Sequence, residues 1–370
     1  MDFNSAFNNY KSGTATEEER QLVEGEIQKS RLIIEYLDND IMPSPDFNEL
    51  GDMKKIRHRL RRRSAAIVSV SIFLCVAIFL GIFYGIVPAL EKVYWDPAET
   101  ELEIPYTSDL DMTLSAYAEL FCPYITINHA AVSRRGFASY DISVSYWNSV
   151  RGGSLSYANL TMDQGQLSLP RGFMNFVPAN IFENACFPKY PMDTESKEYY
   201  YNSFSTLPDH LTIDAAVSFT EDLSIDELIE LNEKLQEKNA YLVWVGVRAC
   251  DESLQMSPLA GMSPFSGGTV REIENEEYPC LEIRGKDRNA ENIEEHFKSL
   301  LKFSKDRQLM NRSLPYSPFP EYYDNVLSYV EENGIKSYGA YISAPPSVMK
   351  ELLDSGLASQ IWPQDVWIHI

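Results

Sequence analysis

The pattern of apolar and polar positions changes character along this chain, and each change predicts a different element. Near the N-terminus Phe3, Phe7 and Tyr10 recur at i, i+4 and i+7, one apolar stripe on a short helix. "KSGTA" then breaks the pattern and "TEEER" restarts it. Thr16 can cap the second helix, Glu19 three residues on completes a capping box, and three glutamates face the positive end of the dipole. Val23, Ile27 and Ile34, with Leu37 beside them, carry an apolar face onward. "DNDIMPSPDFNELGD" reads as a linker containing Pro and Asp.

From Ser64 to Val87 the period disappears, because no charge and no proline occur and Ile, Val, Leu, Phe and Ala dominate. A helix of this stretch is roughly 36 Å long, enough to cross about 30 Å of hydrocarbon with some tilt. Core helices of soluble proteins rarely run so far without a polar face. A signal peptide fits worse, since the apolar part is too long, begins past residue 60 and shows no clear cleavage site. Residues 64–90 are therefore predicted to form a transmembrane helix.

Beyond it, "VYWDPAETELEIPYTSDL" predicts an extended stalk. From about Tyr124 to Leu169 the sequence alternates and is rich in β-branched and aromatic residues, which predicts strands, with "RRG", "SVRGG" and "DQGQ" as turns. "KEYYYNSFSTLPDH" reads as a polar, aromatic junction. "LTIDAAVSF" predicts a strand. "SIDELIELNEKLQEKN" predicts an amphipathic helix, with Ser224 and Glu227 as a capping box and Ile225, Leu228, Ile229 and Leu235 as its face. A strand at "AYLVWVGVR" follows, then a long loop, "ACDESLQMSPLAGMSPFSGGTV", and helices near 290–304 and 320–333. The chain closes on a strand at "SYGAYISAP", a helix from Pro346 to Gly356 and a last strand at "DVWIHI". Mixed strands and helices predict an α+β region.

Charge orients this arrangement. The formal net charge is -22, yet seven of 32 Lys and Arg fall in "KKIRHRLRRR": Lys54, Lys55, Arg57, Arg59, Arg61, Arg62 and Arg63. Basic residues beside a span stay on the cytoplasmic side, and the other flank is acidic, with Glu91, Asp96, Glu99, Glu101 and Glu103. The expected location is thus a single-pass protein of the cell membrane, N-terminus in the cytoplasm and everything after Leu90 outside. A nucleic-acid patch is the rival reading of the basic run. Its place against the span favours membrane orientation, and the acidity of both soluble parts argues against direct nucleic-acid binding. The outer part is long enough for one large or two medium domains.

Candidate chemistry is sparse. Five histidines (His58, His129, His210, His296 and His369) include no pair at i, i+4, so an HExxH-type metal site is absent. "GMSPFSGG" lacks G-x-S-x-G and reads as a flexible loop. Glu274 and Glu276 read as part of a solvated face. No catalytic residue, metal ligand or cofactor site is predicted, and the chain is expected not to be an enzyme. Cys75 falls inside the span. Cys122, Cys186, Cys250 and Cys280 fall outside it, where disulfides persist. Three pairings exist; Cys122–Cys186 and Cys250–Cys280 are favoured because each lies on one side of the junction. Free buried thiols are the alternative.

Several stretches resemble single-pass anti-sigma factors of Gram-positive bacteria whose outer regions carry sigma-factor-regulator N- and C-terminal domains. These are "SAYAELFCPYITI", "ASYDISVSY", "LTMDQGQLSLPRG", "AAVSFTEDLSIDELIEL" with "YLVWVGVR", and "SYGAYISAPPSVMKELLDS", in family order from about residue 85 onward. "FNNYKSGTATEEERQLVEGEIQKSRLIIEYL" looks like the small helical anti-sigma domain. Zinc-bearing members carry His-x-x-x-Cys-x-x-Cys after the Val-Glu pair. The matching positions here are Glu26, Ser30 and Ile33, so no zinc is expected and apolar packing must hold the helices.

The expected fold is a small all-α cytoplasmic segment, one transmembrane helix, and a β-rich then α+β extracytoplasmic region. The resemblance divides the chain into a helical domain over 1–38, linker and basic collar over 39–63, the span over 64–90, an N-terminal-like outer domain over 91–205 and a C-terminal-like one over 206–370. It implies a membrane-anchored anti-sigma factor that sequesters an extracytoplasmic-function sigma factor and releases it on an envelope signal sensed outside. A second membrane protein or a protease is a further expected partner. Phe3, Phe7, Tyr10, Val23, Ile27 and Ile34 are the expected sigma-binding residues. The alternative is a membrane-tethered outer binding or cell-wall-associated protein with a passive cytoplasmic tail.

Overall fold

The computed structural model describes residues 2–40, 50–91, 93–98, 108–148, 154–174, 177–185, 189–251, 258–265, 276–281, 283, 288–307, 314 and 318–368. It divides into two compact units, Met1–Gly85 and Ile86–Ile370.

In the first unit α1 (Phe3–Lys11) and α2 (Glu17–Asp40) form a helical hairpin. Asp2 caps α1, its side chain accepting the Asn4 N–H, and Ser12 ends it. The capping box of α2 forms as its sequence predicts. Glu19 Oε2 accepts the Thr16 N–H at 2.9 Å and Thr16 Oγ1 accepts the Glu19 N–H at 3.4 Å. A third helix, α3 (Leu50–Gly81), carries both the basic collar and most of the apolar stretch, so the collar is helical and continuous with it. A π-helical turn over Ile82–Ile86 and a last turn, α4 (Val87–Glu91), follow. Pro88 lacks an N–H and its ring crowds the carbonyl four residues back, and a π turn at that point relieves both. The residues from Arg57 to Leu90 are long and apolar enough to cross a membrane, and none of the most apolar window is buried by the protein.

The second unit holds two antiparallel sheets among its described residues. The first, in order β1-β2-β3-β4, is a meander of β1 (Ile125–Gly136), β2 (Ser139–Asn148), β3 (Ser154–Asp163) and β4 (Gln166–Ser168). The second has β5 (Leu211–Ser224), β6 (Tyr241–Val247), β7 (Gly261–Met262), β8 (Lys336–Ala344) and β9 (Ala358–Ile368) in order β7-β6-β8-β5-β9. Helices α5 (Asp109–Phe121), α6 (Thr194–Thr206), α7 (Ile225–Gln236), α8 (Ala290–Asp306), α9 (Pro320–Asn333) and α10 (Pro346–Asp354) complete it. One apolar cluster runs from Leu110 on α5 through Ile142 and Leu160 of the first sheet to Val217, Ile342 and Ile361 of the second, so residues either side of 205 share a core.

Most elements of the second unit lie where the pattern puts them, and four differ. The expected stalk, of which residues 99–107 lie outside the described residues, runs into a helix the pattern does not predict, α5, which Ser108 caps and which is buried at every residue except Ser115 and Glu119. A helix enclosed on all sides has no polar face, so its sequence shows no amphipathic period. Most of the expected junction over 197–210 is α6, capped by Asp193, with Phe204 as its buried residue. The loop expected at Gly261 begins instead as a strand: β7 pairs with β6, and a Cβ on Gly261 would collide with Trp244 and the Val245 carbonyl, while residues 266–268 lie outside the described residues. The last strand begins at Ala358, well before "DVWIHI", because Pro363 and a shift of register are tolerated on a sheet edge.

Candidate partner-binding surface

The expected binding residues all lie on the N-terminal hairpin, and its packing sorts them. Ala6 and Val23 are fully enclosed where the two helices meet, and Glu19 is buried beside them. The small side chain of Ala6 lets α1 approach α2 closely. Asn9 Nδ2 donates to Glu19 Oε1 at 3.0 Å, so the enclosed carboxylate has partners on both oxygens. These N–H groups, Thr16 first and Asn9 next, hold its pKa below the usual carboxylate range.

Val23, expected among the binding residues, is therefore part of the hairpin's own core. Phe3 and Phe7 point outward instead, 41% and 40% exposed, with their rings stacked 6.0 Å apart. Tyr10 is half-buried, its hydroxyl 3.4 Å from Glu24 Oε1. Ile27 and Ile34 are exposed. The nine-residue α1 cannot cover the 24-residue α2, so the later turns of α2 stand clear. Leu32, Ile33, Ile34 and Tyr36 are each about three-fifths exposed there. Of these the sequence pattern singled out Ile34 alone. The unbroken run "LII" was the available signal, since an apolar run on a helix that no second helix covers must show apolar surface.

At the three positions that the resemblance sets against zinc ligands, Glu26 pairs with Lys29 at 2.6 Å and Ser30 and Ile33 are exposed. Three such side chains offer one oxygen-rich ligand and no thiolate, a poor set for zinc. Of the basic collar, Arg57, Arg59, Arg61, Arg62 and Arg63 are exposed along α3, as is His58. The side chains of Lys54 and Lys55 lie outside the described residues, although their backbone is helical.

In the second unit the polar groups form structural ties. His296 is buried on α8, its Nδ1 2.7 Å from the Cys280 carbonyl and its Nε2 2.9 Å from Glu119 Oε1. Both neighbours are acceptors, so the ring is placed to donate from both nitrogens. The Glu119 carboxylate is kept below its usual pKa by His296 and by the Ser263 N–H, against the opposing pull of burial. Its backbone carbonyl accepts the Trp244 indole N–H at 2.8 Å. One residue of α5 thus fastens α8, β6 and Ser263 just beyond β7. Asp111 of α5 takes the Ala130 N–H and lies 3.0 Å from His129 Nδ1, satisfying an amide where β1 bulges. Arg248 and Asp222 form a largely enclosed pair, with the guanidinium also donating to the Asn184 carbonyl.

His210 and Glu276 are exposed, while Glu274 and His369 lie outside the described residues. Cys122 is buried, and desolvation raises its thiol pKa. Its expected partner Cys186 lies outside the described residues. Cys250 and Cys280 are both half-buried, and Cys280 Sγ is 3.7 Å from Asn292 Oδ1.

Residues 204–357, from the end of α6 through α10, match the family model described as sigma factor regulator C-terminal. No curated protein and no solved structure matches the chain. The matched region is similar to the C-terminal part of sigma factor regulators, which supports a role in sigma factor regulation with a sigma factor as partner.

Proposed function

We propose that the chain is a membrane-anchored anti-sigma factor. The observation that carries this reading is the match of residues 204–357 to the sigma factor regulator C-terminal family. In this reading the N-terminal hairpin sequesters an extracytoplasmic-function sigma factor, and a signal received by the outer unit lowers its grip. The transmembrane helix ties the two, and the basic collar holds the N-terminus in the cytoplasm. The exposed apolar side chains of α1 and of the later turns of α2 supply the contact, because burying them against a partner removes them from water. Acidic surroundings steer a sigma factor's basic surfaces toward them. No bound metal and no catalytic step is part of the mechanism. A second membrane protein or a protease is the proposed agent of release.

A reporter driven by the cognate sigma factor tests the proposal. Cells carrying the chain should repress it, and cells carrying Ile33→Asp with Ile34→Asp should not. Equal transcription with and without the chain would favour a tethered outer binding protein with a passive tail.

A further inference from the structure

We propose that the tips of two outer hairpins, β1–β2 and β3–β4, rest on the outer surface of the bilayer, with Val93, Tyr94 and Phe137 at head-group level. The proposal deepens the membrane-anchored reading and rests on residues 64–90 being a span.

Three observations in the second unit carry it. The segment Val93–Ala98 is fastened to the sheet tips: Trp95 packs half-buried against the core and Pro97 is buried. The Tyr94 ring meets the Phe137 ring edge-on, with centroids 6.1 Å apart. The neighbouring tip closes the other side. There Gly165, at φ +79°, lies against the Tyr94 ring, which is 3.4 Å from where a Gly165 Cβ would be. The two tips are joined by the Gln164 N–H, which donates to the Ala138 carbonyl at 2.8 Å.

Phe137 is an unusual residue for a hairpin turn, which ordinarily carries Gly, Asn, Asp or Ser. Phe137 is 39% exposed and Val93 69% exposed. Arg135, at the base of the turn, is bound to Asp163 at 2.6 Å and lies 3.6 Å from Asp141, so the acidic groups flanking the tip are offset.

Chain length sets an upper bound on the distance of Tyr94 from the span. Tyr94 is four residues beyond Leu90, so it lies within roughly 14 Å of the end of the apolar stretch. The head-group layer on each side of the hydrocarbon is on the order of 5–8 Å thick. A tyrosine with an exposed valine and phenylalanine beside it suits that layer, where an apolar body and a polar tip are both accommodated. Covalent continuity with the span favours lipid over a second protein as the occupant.

Photo-crosslinking tests this on the full-length chain reconstituted into phosphatidylcholine–phosphatidylglycerol vesicles. p-Benzoylphenylalanine replaces Phe137 in one sample and Tyr157 in a control. Tyr157 is 75% exposed but lies six residues up β3 from the tip at Asp163, roughly 20 Å away. Lipid adducts at position 137 should exceed those at 157 by about fivefold or more, as expected for a side chain held at the interface. Equal yields, or crosslinks at 137 chiefly to protein, would overturn the proposal. Flotation of the vesicles after carbonate washing separates the two ways of failing. A chain that floats without lipid adducts at 137 refutes the tip contact alone. A chain that does not float refutes the span, and the contact with it.

Discussion

Asp214 is 2% exposed on β5, between a serine of β8 and Asp365 of β9. Its Oδ2 accepts the Trp367 indole N–H at 2.7 Å. Burial pushes its pKa up to about 7, with Asp365 adding repulsion and the hydrogen bonds from Ser343 and Trp367 pulling the other way. The folded chain therefore keeps a proton that the unfolded chain has released above its ordinary carboxylate range. This group's contribution is most favourable below pH 4, declines as pH rises toward 7 and is flat above that, a total on the order of a few kcal/mol. Asp214→Asn should remove the slope and leave the second unit more stable at pH 8 than the parent. Urea unfolding at pH 5 and pH 8 reads it directly; an unchanged slope would show that the carboxylate is charged in the folded state. Nothing in "LTIDAAVSF" marks Asp214 apart from an acid at a buried strand position, because the cost depends on what β8 and β9 place beside it.

At the scale of elements, α1 and α2 separate what holds the hairpin from what it offers. Val23 is enclosed and Ile34 is 58% exposed, although both sit on the stripe read from the sequence. Val23→Asp buries an unpaired charge and should cost several kcal/mol, enough to unfold the hairpin. Ile34→Asp should leave the helix intact while removing apolar contact with a partner. Circular dichroism of the two variants in detergent distinguishes them, with helix lost in the first alone. Equal helicity would mean that Val23 is not a core residue.

The same contrast explains how much of the fold was legible. Helix α7 and strand β5 were read closely, because a capping box and a one-sided period survive without tertiary context. Helices α5 and α6 were missed for opposite reasons: α5 is buried nearly all round, and α6 buries only Phe204. Neither leaves a 3.6-residue alternation strong enough to read. At the hairpin the stripe was visible, but which side of it faced inward depended on Ala6. The longer reach of α2 past α1 was not visible at all.

At the scale of the whole molecule, seven basic residues before residue 64 and acidic residues after Leu90 set the expected orientation. Protease added to intact protoplasts should degrade the chain beyond the span and spare residues 1–60. The opposite pattern would put the hairpin outside and remove its access to any sigma factor.

The central claim is that this hairpin holds a sigma factor. Its most direct measurement is co-purification of the full-length chain from detergent-solubilised membranes of the cells that encode it, with bound proteins identified by mass spectrometry. The parent chain should bring down an extracytoplasmic-function sigma factor. Ile33→Asp with Ile34→Asp should lower the yield about tenfold or more, since apolar surface that buries on binding is replaced by charge that must be desolvated. A parent chain that recovers no sigma factor, or a variant that recovers as much as the parent, would contradict the account.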